Sequence, residues 1–213
     1  MKWRSARRSS NVDDRRGLGG RGGGGLKLGL GGIAAVFVIG LLLGKSPMEM
    51  LGLIAQVQQQ APSAPQQSGP TAPTANDEAS QFVASILGET EDVWSAIFEA
   101  QGQRYPAPTL VLFSGSVQSA CGGATAAVGP FYCPGDQQVY IDLSFFDQME
   151  QRLGGGGDFA EAYVIAHEVG HHIQTITGVS AQVNDIRRRG GNVEGAEGPL
   201  VRQELQADCY AGL

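Results

Sequence analysis

The chain has three histidines, and all fall within six residues: His167, His171 and His172. Two of them frame the run His167-Glu168-Val169-Gly170-His171. Each residue of a helix advances about 100°, so residues four apart share a face, one turn from each other. His167 and His171 therefore point the same way and can reach one metal ion, with Glu168 beside them. This H-E-x-x-H spacing suits a zinc site in which two imidazoles bind the metal and the glutamate serves as base to a water. The chemistry it offers is hydrolysis by an activated water. A helical face with two solvated histidines is the plainer alternative.

A catalytic zinc takes three protein ligands and keeps one position open for water. His172 lies about 100° round the helix from His171 and cannot join; it is expected to pack or to bond another segment. The third ligand is then a carboxylate or Cys209. Glu204 stands out, because Asp208 follows one turn later on the same face. Such a pair can supply both a ligand and an acceptor for the free ring N–H of a ligand histidine. Asp185, Glu194 and Glu197 are rivals, though their Gly-rich surroundings would hold a ligand loosely. Tyr163, Tyr210 and Arg202 are candidates for an oxyanion donor, and each also has an ordinary structural reading.

These residues need elements to place them. Asp158 offers an N-cap with Glu161 three residues on, close to a capping box. The periodicity predicts a helix from there to about Thr177, stopped by Gly178. Pro199 suits a first helical position, and the chain from there to Leu213 reads as a helix. Residues 178–198 are polar and Gly-rich and read as a loop, with Arg187, Arg188 and Arg189 facing water. Phe82, Val83, Ile86 and Leu87 have helical spacing. Thr90 could cap a second helix carrying Val93, Trp94, Ile97 and Phe98. Thr109–Phe113 and 139–143 read as strands, the second a candidate sheet edge for an extended substrate. The fold class is α+β, with a small sheet and an active-site helix.

Composition divides the chain. Of 213 residues 32 are glycine, and ten of these lie in 17–32. Residues 1–27 carry eight Lys/Arg and two Asp, net +6, while the rest carries seven and nineteen acids, net -12. A basic tail on an acidic body argues against a general nucleic-acid partner. Residues 1–27 offer little to bury and read as disordered. Residues 28–44 are free of charge and bracketed by Lys27 and Lys45; they read as one short transmembrane helix with the N-terminus cytoplasmic. Residues 45–76 read as a Pro/Gln-rich linker. The folded domain is expected over 77–213, on the outer side of that membrane. Cys121 and Cys133 lie 12 apart around a turn-rich segment and are the favoured disulfide pair, with Cys209 left as a small buried side chain.

Several separated blocks carry a resemblance. HEVGHHIQTITG, GPFYCP with VYIDLSFF, the closing ELQADCYAG, and also TEDVW and LVLFSG resemble the bacterial neutral zinc metallopeptidase family of membrane-anchored proteins. The likeness covers roughly residues 80–213. It implies a zincin-like domain and one Zn²⁺, with His167 and His171 as ligands and Glu168 as catalytic base. By analogy with other enzymes of this type it implies Glu204 as third ligand, Asp208 behind a histidine, and a protein or peptide substrate. Chains of the family continue past this last helix, so the sequence is expected to be a fragment. The competing expectation is a binding or structural protein of the envelope in which zinc only holds the fold.

Overall fold

A computed structural model describes residues 1–16, 77–153 and 157–213. After a 3₁₀ turn at Trp3–Ser5 come β1 (Val12–Asp14), α1 (Glu78–Glu99), β2 (Thr109–Phe113), β3 (Ser116–Ser119), β4 (Gly122–Thr125), β5 (Phe131–Cys133) and β6 (Gln138–Asp142). Four helices follow: α2 (Ser144–Leu153), α3 (Asp158–Ile176), α4 (Val179–Arg188) and α5 (Pro199–Ala211).

One sheet has the order β1-β2-β6-β5, and β3 and β4 form a separate hairpin. The first three strands of the sheet run parallel, and β5 runs antiparallel to β6. Alternation along β2 and β6 sends Leu110, Leu112, Val139 and Ile141 into the main core, where they meet Phe82, Leu87, Ile165, Val169 and Ile173 of α1 and α3. The opposite face places Val111, Phe113 and Tyr140 in a smaller cluster with Cys133. Each such fully buried side chain stabilises the fold by about 1.5–3 kcal/mol relative to exposure. The sheet and α1 thus form the floor on which α3 rests.

Residues 1–16 belong to this floor, contrary to the disorder expected for 1–27. Leu110 donates to Asn11 O and Arg15 donates to Leu112 O, each at 2.8 Å, while Val12 is fully buried. The segment also crosses α1. Ser9 N–H donates to Ala84 O at 2.8 Å, and a Cβ on Gly88 would lie 2.6 Å from Arg7 O. Only glycine admits the crossing backbone so closely. Buried Glu91 collects Arg7, Ser9 and Asn11. These contacts explain why α1 is one helix rather than two: Thr90 donates to Leu87 O inside it and caps nothing.

The same pairing corrects the expected membrane topology. A chain crossing a bilayer once between residues 16 and 77 would leave β1 and β2 on opposite sides, yet Val12 stands opposite Leu110 in one sheet. Among the described residues no helix is long and apolar enough to cross a membrane. The expected span 28–44 and linker 45–76 lie outside the described residues. The fold of the described residues is α+β and includes no membrane-spanning helix, so the expected single-pass membrane placement is not supported.

Candidate metal centre

α3 carries the histidine pair and lies between the sheet and α5. Its first residue is Asp158, preceded by the N-cap Gly157. The expected capping box does not form, because Asp158 accepts the Trp3 indole N–H at 3.0 Å instead. The helix runs to Ile176, and Gly178 adopts the left-handed conformation at φ 85°. The polar segment beyond is not all loop, since α4 occupies Val179–Arg188. Asp185 ion-pairs there with Arg188 and Arg189, away from the histidines.

Gly170 sets the spacing between α3 and α5. A Cβ there would meet Ala207 Cα and O at 3.0 Å each, so the two helices touch backbone to backbone. Glu204 lies one turn before Ala207 and is carried to the histidines by that contact. Its Oε2 is 3.4 Å from His167 Nε2 and 3.4 Å from His171 Nε2. All three donor atoms lie within 4.8 Å of one another. Bonds of 2.0–2.1 Å in tetrahedral geometry would separate two ligands by about 3.3 Å. The two Glu204–histidine separations match that value, so His167, His171 and Glu204 are residues that could hold a zinc ion.

The far side of each imidazole is also occupied. His167 Nδ1 lies 2.9 Å from Asp208 Oδ1, and the Tyr163 hydroxyl donates to the same oxygen. Tyr163 and then His167 hold the Asp208 carboxyl below its ordinary range. His171 Nδ1 lies 3.0 Å from Gln174 Oε1.

Glu168 points to the sheet side of the pair and is 8 % exposed. Burial pushes its carboxyl well above the usual carboxylate range; His171 opposes the rise, Glu204 adds to it, and the Tyr132 backbone N–H opposes it. Tyr132 belongs to β5. Its hydroxyl lies 3.1 Å from His172 Nδ1, while His172 Nε2 lies 2.6 Å from Pro106 O. A carbonyl only accepts, so His172 donates from Nε2 and receives the tyrosine hydroxyl at Nδ1. Burial lowers the His172 pKa, and the bond to the Pro106 carbonyl opposes that shift. His172 thus fastens β5 and the chain before β2 to α3. The disulfide Cys121–Cys133 fixes the end of β5 to the turn between β3 and β4. Cys209 is an exposed free thiol, not a buried one.

The sheet edge differs from expectation. β6 lies between β2 and β5, so among the described residues the edge strand beside α3 is β5. A cleft of about 320 Å³ lies beside the segment that leads into β5, lined by Val128, Pro130, Phe145 and Val164 together with His167, Glu168 and Asp208. Tyr163 also lines it. Tyr210 packs edge-to-face on Trp94 at 5.2 Å, so its ring serves the core. Two participants escaped sequence reasoning. Gln174 carried one signal, a polar residue three positions after a candidate ligand. Tyr132 carried none, because its contact to Glu168 is made by the backbone.

Known proteins point the same way. The whole chain, residues 1–213, matches the family described as "Putative neutral zinc metallopeptidase". It is 42 % identical over 218 residues to "Uncharacterized protein YpfJ" of Escherichia coli (strain K12), covering 100 % of this chain and 74 % of that protein. It is 43 % identical over 137 residues to "Uncharacterized protein Rv2575" of Mycobacterium tuberculosis (strain ATCC 25618 / H37Rv), covering 64 % of this chain and 45 % of that protein. No solved structure matches. With its full length matched, and with two imidazoles and a carboxylate converging on one point, the chain belongs to the neutral zinc metallopeptidase family.

Proposed function

We propose that the protein is a zinc-dependent peptidase that hydrolyses peptide bonds in extended polypeptide segments. One observation carries the reading: Glu204 Oε2 stands 3.4 Å from both histidine Nε2 atoms, with the buried carboxyl of Glu168 on the residue after His167. His167, His171 and Glu204 hold the metal. Zinc in such a site polarises a water and a peptide carbonyl, bringing the pKa of the water to about 7.

Glu168 takes the proton of the attacking water and passes it to the departing amine. Burial raises its pKa and a bound dication would oppose that rise, and a base near the working pH both accepts and returns a proton readily. The Tyr132 N–H steadies the carboxylate while leaving it acceptor capacity. Asp208 holds the His167 ring in one tautomer. The substrate backbone adds to the edge strand β5, and the apolar residues of the cleft take a side chain beside the scissile bond.

Cleavage of an unfolded protein by the zinc-loaded chain, read by mass spectrometry beside Glu168→Gln, tests this. Wild type is expected to cut and the variant to keep its zinc while losing about 10²–10⁴ in rate. Equal cleavage by both would remove Glu168 from the mechanism. No cleavage by a zinc-loaded wild type would sink the peptidase reading.

A further inference from the structure

We propose that Gln174 is a positioning residue of the metal centre: it fixes the His171 tautomer and ties that ligand to the helix carrying Glu204. This rests on the reading of His171 and Glu204 as ligands, and it adds a residue and a coupling to it.

Gln174 is fully buried although it is polar. A buried amide without partners costs about 1–3 kcal/mol on mutational scales, so such a residue needs its hydrogen bonds. It has three. Nε2 donates to Gln203 O at 2.6 Å and to Gln206 Oε1 at 3.1 Å. Oε1 faces His171 Nδ1 at 3.0 Å.

The orientation of the amide is forced. Gln203 O is a backbone carbonyl and can only accept. The NH₂ group must therefore face it, which turns Oε1 to His171. That oxygen also only accepts, so His171 must donate from Nδ1. The lone pair then lies on Nε2, the atom 3.4 Å from Glu204 Oε2. One buried side chain thereby selects the tautomer that can bind a metal on the Glu204 side. The same amide grips α5 at Gln203 and Gln206, which flank Glu204. His167 has a different device, the Asp208 carboxylate. The two ligand histidines are thus oriented by two unlike partners, one exposed and charged, the other buried and neutral. The buried one also joins the helices.

Two measurements test this without any substrate, so peptidase activity does not enter. The first is the zinc dissociation constant of Gln174→Met and Gln174→Glu, by competition with a chromophoric chelator. Circular dichroism and metal-free melting report their folding. Gln174→Met keeps the volume but loses the acceptor, and is expected to bind zinc about 10–100-fold more weakly. Gln174→Glu keeps an acceptor for the His171 N–H and is expected to recover most of that loss, even though it gives up the donors to α5 and melts lower. A merely structural residue would show zinc affinity following melting temperature, with Glu as poor as Met; that result overturns the proposal.

The second uses wild type and does not depend on either variant folding. Imidazole ¹⁵N shifts of the metal-free protein, at a mildly alkaline pH where histidine is neutral, are expected to show His171 protonated at Nδ1. Protonation at Nε2 overturns the proposal. A wild type that binds no zinc, yet shows the Nδ1–H tautomer, would instead count against the peptidase reading while leaving the Gln174–His171 bond established.

Discussion

Gly170→Ala probes the backbone contact that brings Glu204 to the histidines. The added Cβ would stand 3.0 Å from Ala207 Cα and O, and 3.3 Å from its Cβ. Carbon contacts are comfortable from about 3.5 Å, so α5 must back away by roughly 0.5 Å. Two opposing effects act on stability. Overpacking costs about 1–3 kcal/mol, and replacing glycine by alanine inside a helix returns about 1 kcal/mol. The net loss is about 0–2 kcal/mol, a fall of several degrees at most in melting temperature. The metal feels the change more sharply. Glu204 moves with Ala207, and zinc–ligand bonds tolerate only about 0.2 Å. Zinc affinity is expected to fall about tenfold, which is about 1.4 kcal/mol. Gly170→Val, with two more methyl groups to place, falls further. Chelator competition reads the affinity, and melting of the metal-free protein reads the fold. An alanine variant that binds zinc as tightly as wild type, or a valine variant no worse than alanine, would refute the claim that this contact sets the position of Glu204.

Glu168 predicts a pH dependence of stability in the metal-free protein. Burial raises its carboxyl pKa in the fold, so the folded state keeps the proton to higher pH than the unfolded chain. Stability from this group is then lost as pH rises from the unfolded value of about 4.3 through the folded one, and it is constant above. Glu168→Gln cannot ionise, so metal-free variant and wild type should melt alike near the unfolded value, and the variant should melt higher at neutral pH. Parallel melting curves across that range would show that Glu168 is not a desolvated acid. The disulfide predicts a second loss. It closes a sequence separation of 12, worth about 2–3 kcal/mol in chain entropy. Replacing Cys121 and Cys133 by serine should lower melting by about 5–10 °C, and an unchanged melting point would contradict it.

The centre was legible because its chemistry lies in side chains at helical spacing. His167 and His171 need only the 3.6-residue period to converge, and Asp208 needs it to follow Glu204. Long-range pairing decides the rest. No periodicity says which of α5's faces meets α3; Gly170 opposite Ala207 does. Nor could the strand order be read, since β5 has three residues and part of its role is one backbone N–H offered to Glu168. The apolar strand 139–143 looked like the edge because it precedes the active helix, but a strand buried on both faces suits an interior place, and the short, half-exposed β5 takes the rim. α4 was obscured by its polarity: only Val179, Val183 and Ile186 mark a helical face.

The N-terminal residues show a further limit. Composition alone made 1–27 a solvated tail, because eight basic residues have no visible reason to be near the acidic body. The reason is the acidic body itself. Arg7 bonds Asp92 and Glu91, Arg16 bonds Asp14 and Asp77, and Arg4 bonds Glu78. Two of these pairs, Arg4–Glu78 and Arg7–Asp92, are exposed and individually worth under about 1 kcal/mol. The anchoring comes from Trp3, set edge-on to Phe82 at 5.3 Å, from fully buried Val12, and from the ladder to β2. Arg4, Arg7 and Arg16 are therefore paired with acids of the same folded unit. Asp77, partner of Arg16, is also the cap of α1, so the basic segment closes on the residue that starts the helical floor beneath the metal centre.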